Sequence, residues 1–214
     1  MTGKRLPYDA EIEYLESTGT QWIDTGIIPQ DNTVIDFKCK PFVPPSTETI
    51  SSGCIFGVHR LGETTQLNGS YAVFFKGYQT SSGISCGITF TGGVGTRSQS
   101  LVVPRPVIQS LTSVILKANQ VEINGTSYNF TTSTVLPLDI KQSLPLFASK
   151  NGNGQVDTHA QGLKLISFCM SNGETTVYDT IPVRVGQVGC MYDKVSGQLF
   201  GNRGTGDFIL GPDK

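Results

Sequence analysis

The sequence predicts an all-β domain made of two packed antiparallel sheets. Short segments in which apolar and polar residues alternate recur along most of the chain, as they do in half-buried strands. These segments are bounded by Gly, Asn, Ser and Pro, the residues that form turns. Helical periodicity is nearly absent, and a chain of 214 residues suits one large β-sandwich domain.

The strands can be placed from this alternation, and 33–40, which reads Thr-Val-Ile-Asp-Phe-Lys-Cys-Lys, shows it most clearly. Asn124-Gly125, Asn172-Gly173 and Ser196-Gly197 predict tight hairpin turns, and 117–120 predicts another. In chain order the predicted strands are 11–16, 21–25, 33–40, 53–58, 71–75, 84–90, 111–117, 120–123, 127–130, 144–148, 163–170, 177–185, 190–194 and 198–200.

Two stretches are predicted as long surface loops, where binding residues tend to lie. One is 40–52, which contains three prolines, and the other is 150–159, which contains Asn-Gly-Asn-Gly. No change of composition divides the chain and no internal repeat is visible. Residues 1–9 are therefore predicted to form a polar N-terminal arm, and residues 10–214 a single domain.

The charge balance argues against nucleic acid and membrane surfaces as partners. The 16 basic and 17 acidic residues leave a net charge of -1, which gives no field to attract phosphates or anionic lipid. No apolar run of about 18 residues occurs, as a membrane-spanning helix would need. The basic N-terminus is not followed by an apolar segment, so we expect no signal peptide.

The five cysteines are predicted to be reduced. They are odd in number and widely spaced within apolar segments, and they form no Cys-x-x-Cys pair. We therefore expect no structural zinc, and apart from calcium we predict no metal or cofactor. Calcium stays open, because Asp24, Asp31, Asp157 and Asp179 supply oxygen atoms at spacings that mark no particular cage.

Two distant blocks of the chain are similar to one known family. The first, 13–26, reads Glu-Tyr-Leu-Glu-Ser-Thr-Gly-Thr-Gln-Trp-Ile-Asp-Thr-Gly, with Trp22 where the family usually has tyrosine. The second runs from Lys-Leu-Ile-Ser-Phe at 164–168 through Tyr-Asp-Thr-Ile-Pro-Val-Arg at 178–184 to 189–200, and then Gly-Thr-Gly at 204–206. They resemble the concanavalin A-like, or laminin-G-like, domains of bacteriophage structural proteins and gut-bacterial proteins. Val183 departs from that pattern, because the family commonly has cysteine there.

The resemblance implies a jelly-roll β-sandwich whose terminal segments pair near each other. It further implies a non-enzymatic virion structural or decoration protein, assembled in the host cytoplasm. Its expected partners are other virion proteins, including copies of itself, and host polysaccharide. The arm, too polar to fold alone, is expected to dock on a neighbour. The alternative is a carbohydrate-binding adhesion module of a gut bacterium or a phage tail.

Catalysis is expected to be absent, with glycoside hydrolysis as the remote alternative. Glu11, Glu13 and Glu16 resemble a glycosidase motif, but on a regular strand Glu16 faces away from the other two. The two histidines lie in loop-like contexts without a nucleophile elbow. For sugar stacking and hydrogen bonding we expect residues of the aromatic, amide and imidazole types. The candidate ligand-binding residues are Trp22, His59, Asn68, Tyr71, Tyr78, Asn151 and His159.

Overall fold

The all-β prediction is confirmed by the structure, a computed structural model. It describes residues 5–40, 53–58, 71–80, 83–91, 98–102, 113–117, 120–129 and 140–214, with the backbone alone for 74–80, 83–91, 98–102 and 158. These residues form strands, turns and irregular segments, and they contain no helix. The strands assemble into two sheets.

Nineteen strands occur in the described residues. They are β1 (Ala10–Glu11), β2 (Leu15–Thr18), β3 (Ile23–Asp24), β4 (Thr33–Lys40), β5 (Gly53–Val58), β6 (Tyr71–Thr80), β7 (Gly83–Thr91), β8 (Ser98–Val102), β9 (Val114–Leu116), β10 (Gln120–Ile123), β11 (Thr126–Asn129), β12 (Pro145–Leu146), β13 (Ala148–Lys150), β14 (Val156–His159), β15 (Gln161–Asn172), β16 (Thr175–Val185), β17 (Val188–Asp193), β18 (Gln198–Phe200) and β19 (Ile209–Leu210).

The larger sheet has eleven strands in the order β11-β10-β9-β4-β15-β16-β17-β18. Strand β1 adds to β16, β2 to β15, and β19 to β2. The smaller sheet has eight strands in the order β14-β13-β5-β6-β7-β8, with β12 and β3 attached beside β5. Pairing is antiparallel except between β13 and β5, which run parallel and so depart from the purely antiparallel expectation.

One apolar core joins the two sheets. The ring of Phe56 on β5 packs edge-on against Phe37 on β4 and Phe168 on β15, at centroid distances of 5.4 and 5.5 Å. Strand β4 buries every second residue, as its alternating sequence predicts. Because β5 belongs to the smaller sheet and β4 and β15 to the larger one, these rings connect the two sheets within one core.

The predicted hairpin turns are confirmed where the chain is described. Asn124 and Gly125 have φ of 49° and 82° between β10 and β11. Gly173 and Gly197 have φ of 60° and 73° at the β15–β16 and β17–β18 connections. Positive φ is the backbone state that two-residue hairpins require, and Asn and Gly adopt it most readily.

The predicted loop at 150–159 is wrong in part. Strand β14 pairs with β13, with His159 opposite Ala148, so only 151–155 form the turn between them. Valine at 156 and threonine at 158 favour this strand, but the glycines before it obscured the pattern. The other predicted loop, 40–52, lies outside the described residues except for Lys40, which ends β4.

The described end of the predicted arm lies on the larger sheet. The amide of Asp9 donates to the carbonyl oxygen of Arg184 at 2.9 Å, and its carboxylate accepts from the amide of Gly186 at 2.7 Å. The ring of Tyr8 packs against Tyr192, with centroids 5.0 Å apart. Residues 8 and 9 are therefore packed on the domain, whereas they were predicted to belong to the arm.

Candidate functional site

Residues 17–22 and residues 202–207, from opposite parts of the chain, lie against each other. The amides of Trp22 and Gly204 both donate to the side-chain oxygen of Asn202, at 3.1 and 2.8 Å. The amide of Arg203 donates to the carbonyl oxygen of Trp22 at 2.7 Å. The expectation that the terminal segments pair is thus confirmed. We call residues 17–22 together with residues 202–207 the terminal clasp.

Gly204 sets how closely the two halves of the clasp approach. A Cβ atom built at this position would lie 1.9 Å from the carbonyl oxygen of Thr20 and 3.1 Å from the Trp22 ring. The obstructing atom belongs to the backbone, so it cannot move aside as a flexible side chain would. Only glycine therefore permits this approach.

Gln21 supplies the hydrogen bonds that close the clasp. Its side chain is buried, and its amide nitrogen donates to the carbonyl oxygens of Thr205 and Asp207, each at 3.1 Å. Its amide oxygen accepts from the backbone N–H of Thr18 at 2.8 Å. A single buried side chain thus satisfies backbone groups of both halves, which holds them at a fixed separation.

Asp24 and the buried Lys150 form an ion pair next to the clasp, with side chains 29% and 6% exposed. The ammonium of Lys150 donates to Asp24 at 2.8 Å and to the hydroxyl and carbonyl oxygens of Ser143, and it lies 5.4 Å from the centre of the Trp22 ring. Burial alone would raise the pKa of Asp24, but hydrogen bonds from Lys150, Ser143 and the Gly26 amide outweigh it and lower the pKa. The carboxylate is therefore ionised and its charge is neutralised locally.

A cleft of about 270 Å³ opens between this ion pair and strand β18. One wall is Asp24 of the smaller sheet, and the other is β18 of the larger sheet with the turn that follows it. Strand β18 pairs only with β17 among the described strands, so its other edge is open. The cleft is lined by Asp24, Gln198, Leu199, Phe200, Gly201, Asn202 and Arg203.

Tyr178 lies behind the cleft with an unpaired hydroxyl group. The residue is 1% exposed, and its ring meets the Phe200 ring edge-on at 5.2 Å. Among the described side chains, only this hydroxyl is buried without a hydrogen-bond partner. Burial raises its pKa, and the nearby carboxylates of Asp193 and Asp24 raise it further. A buried hydroxyl left unpaired costs roughly 1 to 3 kcal/mol of stability, and the Tyr178 hydroxyl is such a group.

Of the predicted ligand-binding residues whose side chains the structure describes, Trp22 alone adjoins the cleft. It is half-buried and belongs to the clasp. Asn151 shapes the β13–β14 turn, because its side-chain oxygen accepts from the amides of Asn153 and Gln155. His159 is half-buried on β14. Neither lines the cleft.

Tyr71 does not fit its predicted role as a ligand contact. It is completely buried, and its hydroxyl donates to the carbonyl oxygen of Thr33 at 2.7 Å. Strand alternation places it on the inner face, where it packs in the core. The predicted residues His59 and Asn68, and the side chain of Tyr78, lie outside the described part of the chain.

Sequence reasoning missed most of the cleft. Asn202 and Arg203 lie between the two parts of the closing block, 189–200 and 204–206, and were not singled out, and Lys150 was assigned to a surface loop although it is 5% exposed. Nothing local in the sequence marks these residues as neighbours of Trp22. The one available signal was the Asn-Arg-Gly-Thr-Gly stretch at 202–206, whose two glycines indicate a tight backbone approach.

The carboxylates of the glycosidase-like string lie on different strands. Glu11 is on β1 and accepts a hydrogen bond from the Tyr8 hydroxyl at 3.2 Å. Glu16 is on β2, 3.6 Å from the ammonium of Lys164. Glu13, between the two strands, is exposed. Each of the two strand carboxylates thus has its own neutral or cationic partner.

The oxygen atoms considered for calcium are also engaged individually. Asp179 pairs with Lys194 at 2.7 Å, and Asp157 accepts from the Ser149 hydroxyl. No group of three or more His, Cys, Asp or Glu suited to a metal ion occurs in the described part of the chain. No helix among the described residues is long and apolar enough to cross a membrane.

The described cysteines are free thiols: Cys39, Cys54, Cys169 and Cys190. Burial raises the pKa of Cys39 and of Cys54, which makes both poor nucleophiles. The Cys86 side chain lies outside the described residues.

Comparison of the chain with protein-family models, with curated proteins and with solved structures found no match in any of the three.

Proposed function

We propose that this chain is a non-enzymatic structural or decoration protein of a bacteriophage virion, built on a concanavalin-like (laminin-G-like) jelly-roll sandwich. One observation carries the proposal. The two blocks that resemble that family, although far apart in sequence, meet in the terminal clasp through Gly204 and Gln21. Gly204 and Gln21 hold two distant parts of the scaffold together, and none of their contacts requires a substrate. This supports a structural role in assembly or surface display.

The jelly-roll part of the proposal is supported by the sheet order. Strand β4 lies between β9 and β15, which are distant in sequence, and β5 lies next to both β6 and β13. Such long-range crossovers between two sheets with a shared core are typical of Greek-key sandwiches. Chain ends paired in one sheet, with β19 on β2, suit the same topology.

Assembly with other virion proteins, or with copies of itself, would use the exposed rim of the larger sheet. Val185 and Val188 lie opposite each other at the β16–β17 turn and are 39% and 56% exposed. Leu6, which precedes the docked Tyr8 and Asp9, is 52% exposed. Apolar side chains exposed together are a common feature of contact surfaces.

The test is to find the chain in purified particles. Mass spectrometry and gold labelling should detect it at a fixed copy number in virions. Deleting residues 1–7 should weaken incorporation and leave the circular dichroism spectrum unchanged, because Tyr8 and Asp9 stay to make their contacts. Val188→Lys should act in the same direction, whereas Glu174→Gln, an exposed change in the β15–β16 turn, is the matched control. Particles that lack the chain would contradict the proposal.

The second candidate function is attachment to a host glycan, and the cleft beside β18 favours it. The site combines the half-buried Phe200 ring, amide groups and a guanidinium group next to Trp22. Sugar sites in proteins combine an apolar face with a few polar groups in this way. A virion sandwich could perform both functions, one at its rim and one at the cleft.

A further inference from the structure

The side chains around the cleft differ in whether they are free to bind. Asp24 is neutralised by Lys150 and also accepts from Ser143 and the Gly26 amide. The side-chain oxygen of Asn202 accepts from the amides of Trp22 and Gly204, and its side-chain nitrogen donates to the carbonyl oxygen of Gly206. These two polar groups already serve the scaffold.

Arg203 and Gln198 are the polar side chains that are left over. Both are exposed and line the cleft. Neither side chain has a hydrogen bond or an ion pair within the part of the chain that the structure describes. A guanidinium group offers only donors, in a planar fork that matches a carboxylate. The cleft therefore has one uncompensated charge, which is positive.

The cleft also has an apolar part. Phe200 and Leu199 are half-buried lining residues. The amide of Gln198 can both donate to and accept from hydroxyl groups. A ligand that fits must combine an anion, an apolar face and hydroxyl groups.

We propose that the cleft binds a uronic acid unit of an acidic polysaccharide, with the sugar carboxylate paired to Arg203, the ring against Phe200 and the sugar hydroxyls bonded to the Gln198 amide. This inference rests on the glycan-attachment part of the proposed function and names its ligand class. An acidic peptide is less suited, because β18 has only three residues and offers an extended chain few main-chain hydrogen bonds.

The binding test uses the full chain, whose single tryptophan, Trp22, adjoins the cleft. Oligomers of glucuronate and of galacturonate should change its fluorescence saturably and shift the amide signals of Gly201 and Asn202 in NMR spectra. The corresponding neutral oligomers of glucose and galactose should bind at least about tenfold more weakly, since they lack the charge that Arg203 binds. Raising the salt concentration should narrow this difference.

Variants assign the binding to the named groups. Arg203→Gln should remove the preference for acidic over neutral oligomers, while Lys117→Gln, a change at an exposed residue in the β9–β10 connection, should leave it intact. Gln198→Ala should weaken binding severalfold without lowering the melting temperature, because it removes a side chain that has no hydrogen bond within the described part of the free protein. Lost binding together with lost stability would instead mean a structural role for that side chain.

The outcomes separate this inference from the proposed function. Equal affinity for neutral and acidic oligomers, or a response to oligoaspartate but not to uronates, would overturn the inference. Particles that contain the chain but do not bind uronates would overturn it and leave the virion assignment standing. Uronate binding by a chain that is absent from particles would support the assignment of the cleft as a uronate site and contradict the virion assignment.

Discussion

Strand β18 is flanked by two connections of different kinds. Before it, the β17–β18 turn is built within a few residues, because the buried carboxylate of Asp193 accepts from the amides of Val195 and Ser196. After it, the terminal clasp is closed by the buried amide of Gln21, whose acceptors Thr205 and Asp207 lie 184 and 186 residues away. One buried polar side chain organises each connection, but only the first can form early and locally.

This difference implies different sensitivity to substitution. A substitution in the local turn removes one or two hydrogen bonds, and the polar groups left unpaired there can bond to water instead. The clasp joins the two ends of the chain, so damage there releases β19 from β2 and opens one wall of the cleft. We therefore expect larger losses of stability at the clasp than at the turn.

The largest effect is expected for Gly204→Ala. The new methyl group would overlap the Thr20 carbonyl oxygen, so the two halves of the clasp must separate. We expect the free energy of unfolding to fall by about 3 kcal/mol or more, measured by urea denaturation. Gly201→Ala is the matched control, because its new methyl would meet only the Cys190 sulfur at 3.9 Å. Equal stability of the two variants would contradict the close approach.

A slightly smaller loss is expected for Gln21→Leu. The substitution keeps the volume but removes the hydrogen bonds of the buried side chain to the Thr18 amide and to the carbonyl oxygens of Thr205 and Asp207, of which only that of Thr205 keeps another donor within the described part of the chain, the Thr20 hydroxyl. We expect a loss of roughly 2 to 3 kcal/mol by the same measurement. Gln120→Leu, at a residue whose side-chain hydrogen bond is exposed, should cost far less. A neutral Gln21→Leu would mean that the clasp closes without this side chain.

Acid should destabilise the β17–β18 turn, through Asp193, and the Asp24–Lys150 ion pair beside the clasp. Burial raises the pKa of Asp193, but hydrogen bonds from the amides of Asp179 and Ser196 and from the Ser196 hydroxyl outweigh it, so its folded pKa is lowered, as it is for Asp24. Both carboxylates therefore stabilise the fold above the unfolded pKa of about 3.9, and this contribution is lost as the pH falls through the folded pKa.

The pH dependence of the melting temperature measures this contribution. Wild-type protein should lose stability below about pH 4. Asp24→Asn and Asp193→Asn should each be less stable at neutral pH and show a flatter acid limb, whereas Glu174→Gln should follow the wild type. Parallel curves for all four proteins would contradict the assignment.

The smallest effect is expected in the local turn, for Gly197→Ala. The residue has φ of 73°, which costs an alanine about 1 kcal/mol, and its surroundings are open. Gly197→Asn should cost less, because asparagine tolerates this region. A loss as large as that of Gly204→Ala would remove the distinction between the two connections.

The same difference between local and long-range contacts explains which strands could be predicted from the sequence alone. Strands β4, β5, β10 and β18 have the bounds that alternation predicts, because their signal is local. Strand β19, with two residues, is too short to alternate, and β8 is mostly polar, so neither was predicted. Tyr71 was assigned to ligand binding because alternation does not say which face of a strand is buried.

The cleft could be predicted only in part for a related reason. Trp22 was identified by its residue type, but its neighbours Arg203 and Lys150 come from other parts of the chain. Their proximity depends on the pairing of β19 with β2 and on the position of β13 in the smaller sheet. These registers are set by tertiary packing, which local patterns do not encode.

Hydrogen exchange in Gln21→Leu tests most directly whether the clasp is one unit that joins the chain ends. We expect peptides covering 18–24 and 200–207 to lose protection together and to the same extent, while peptides covering the β17–β18 turn exchange as in the wild type. This is the expected result because Gln21 bonds to both halves of the clasp and to neither side of the turn. Loss of protection in only one half, or equally in the turn, would contradict the claim.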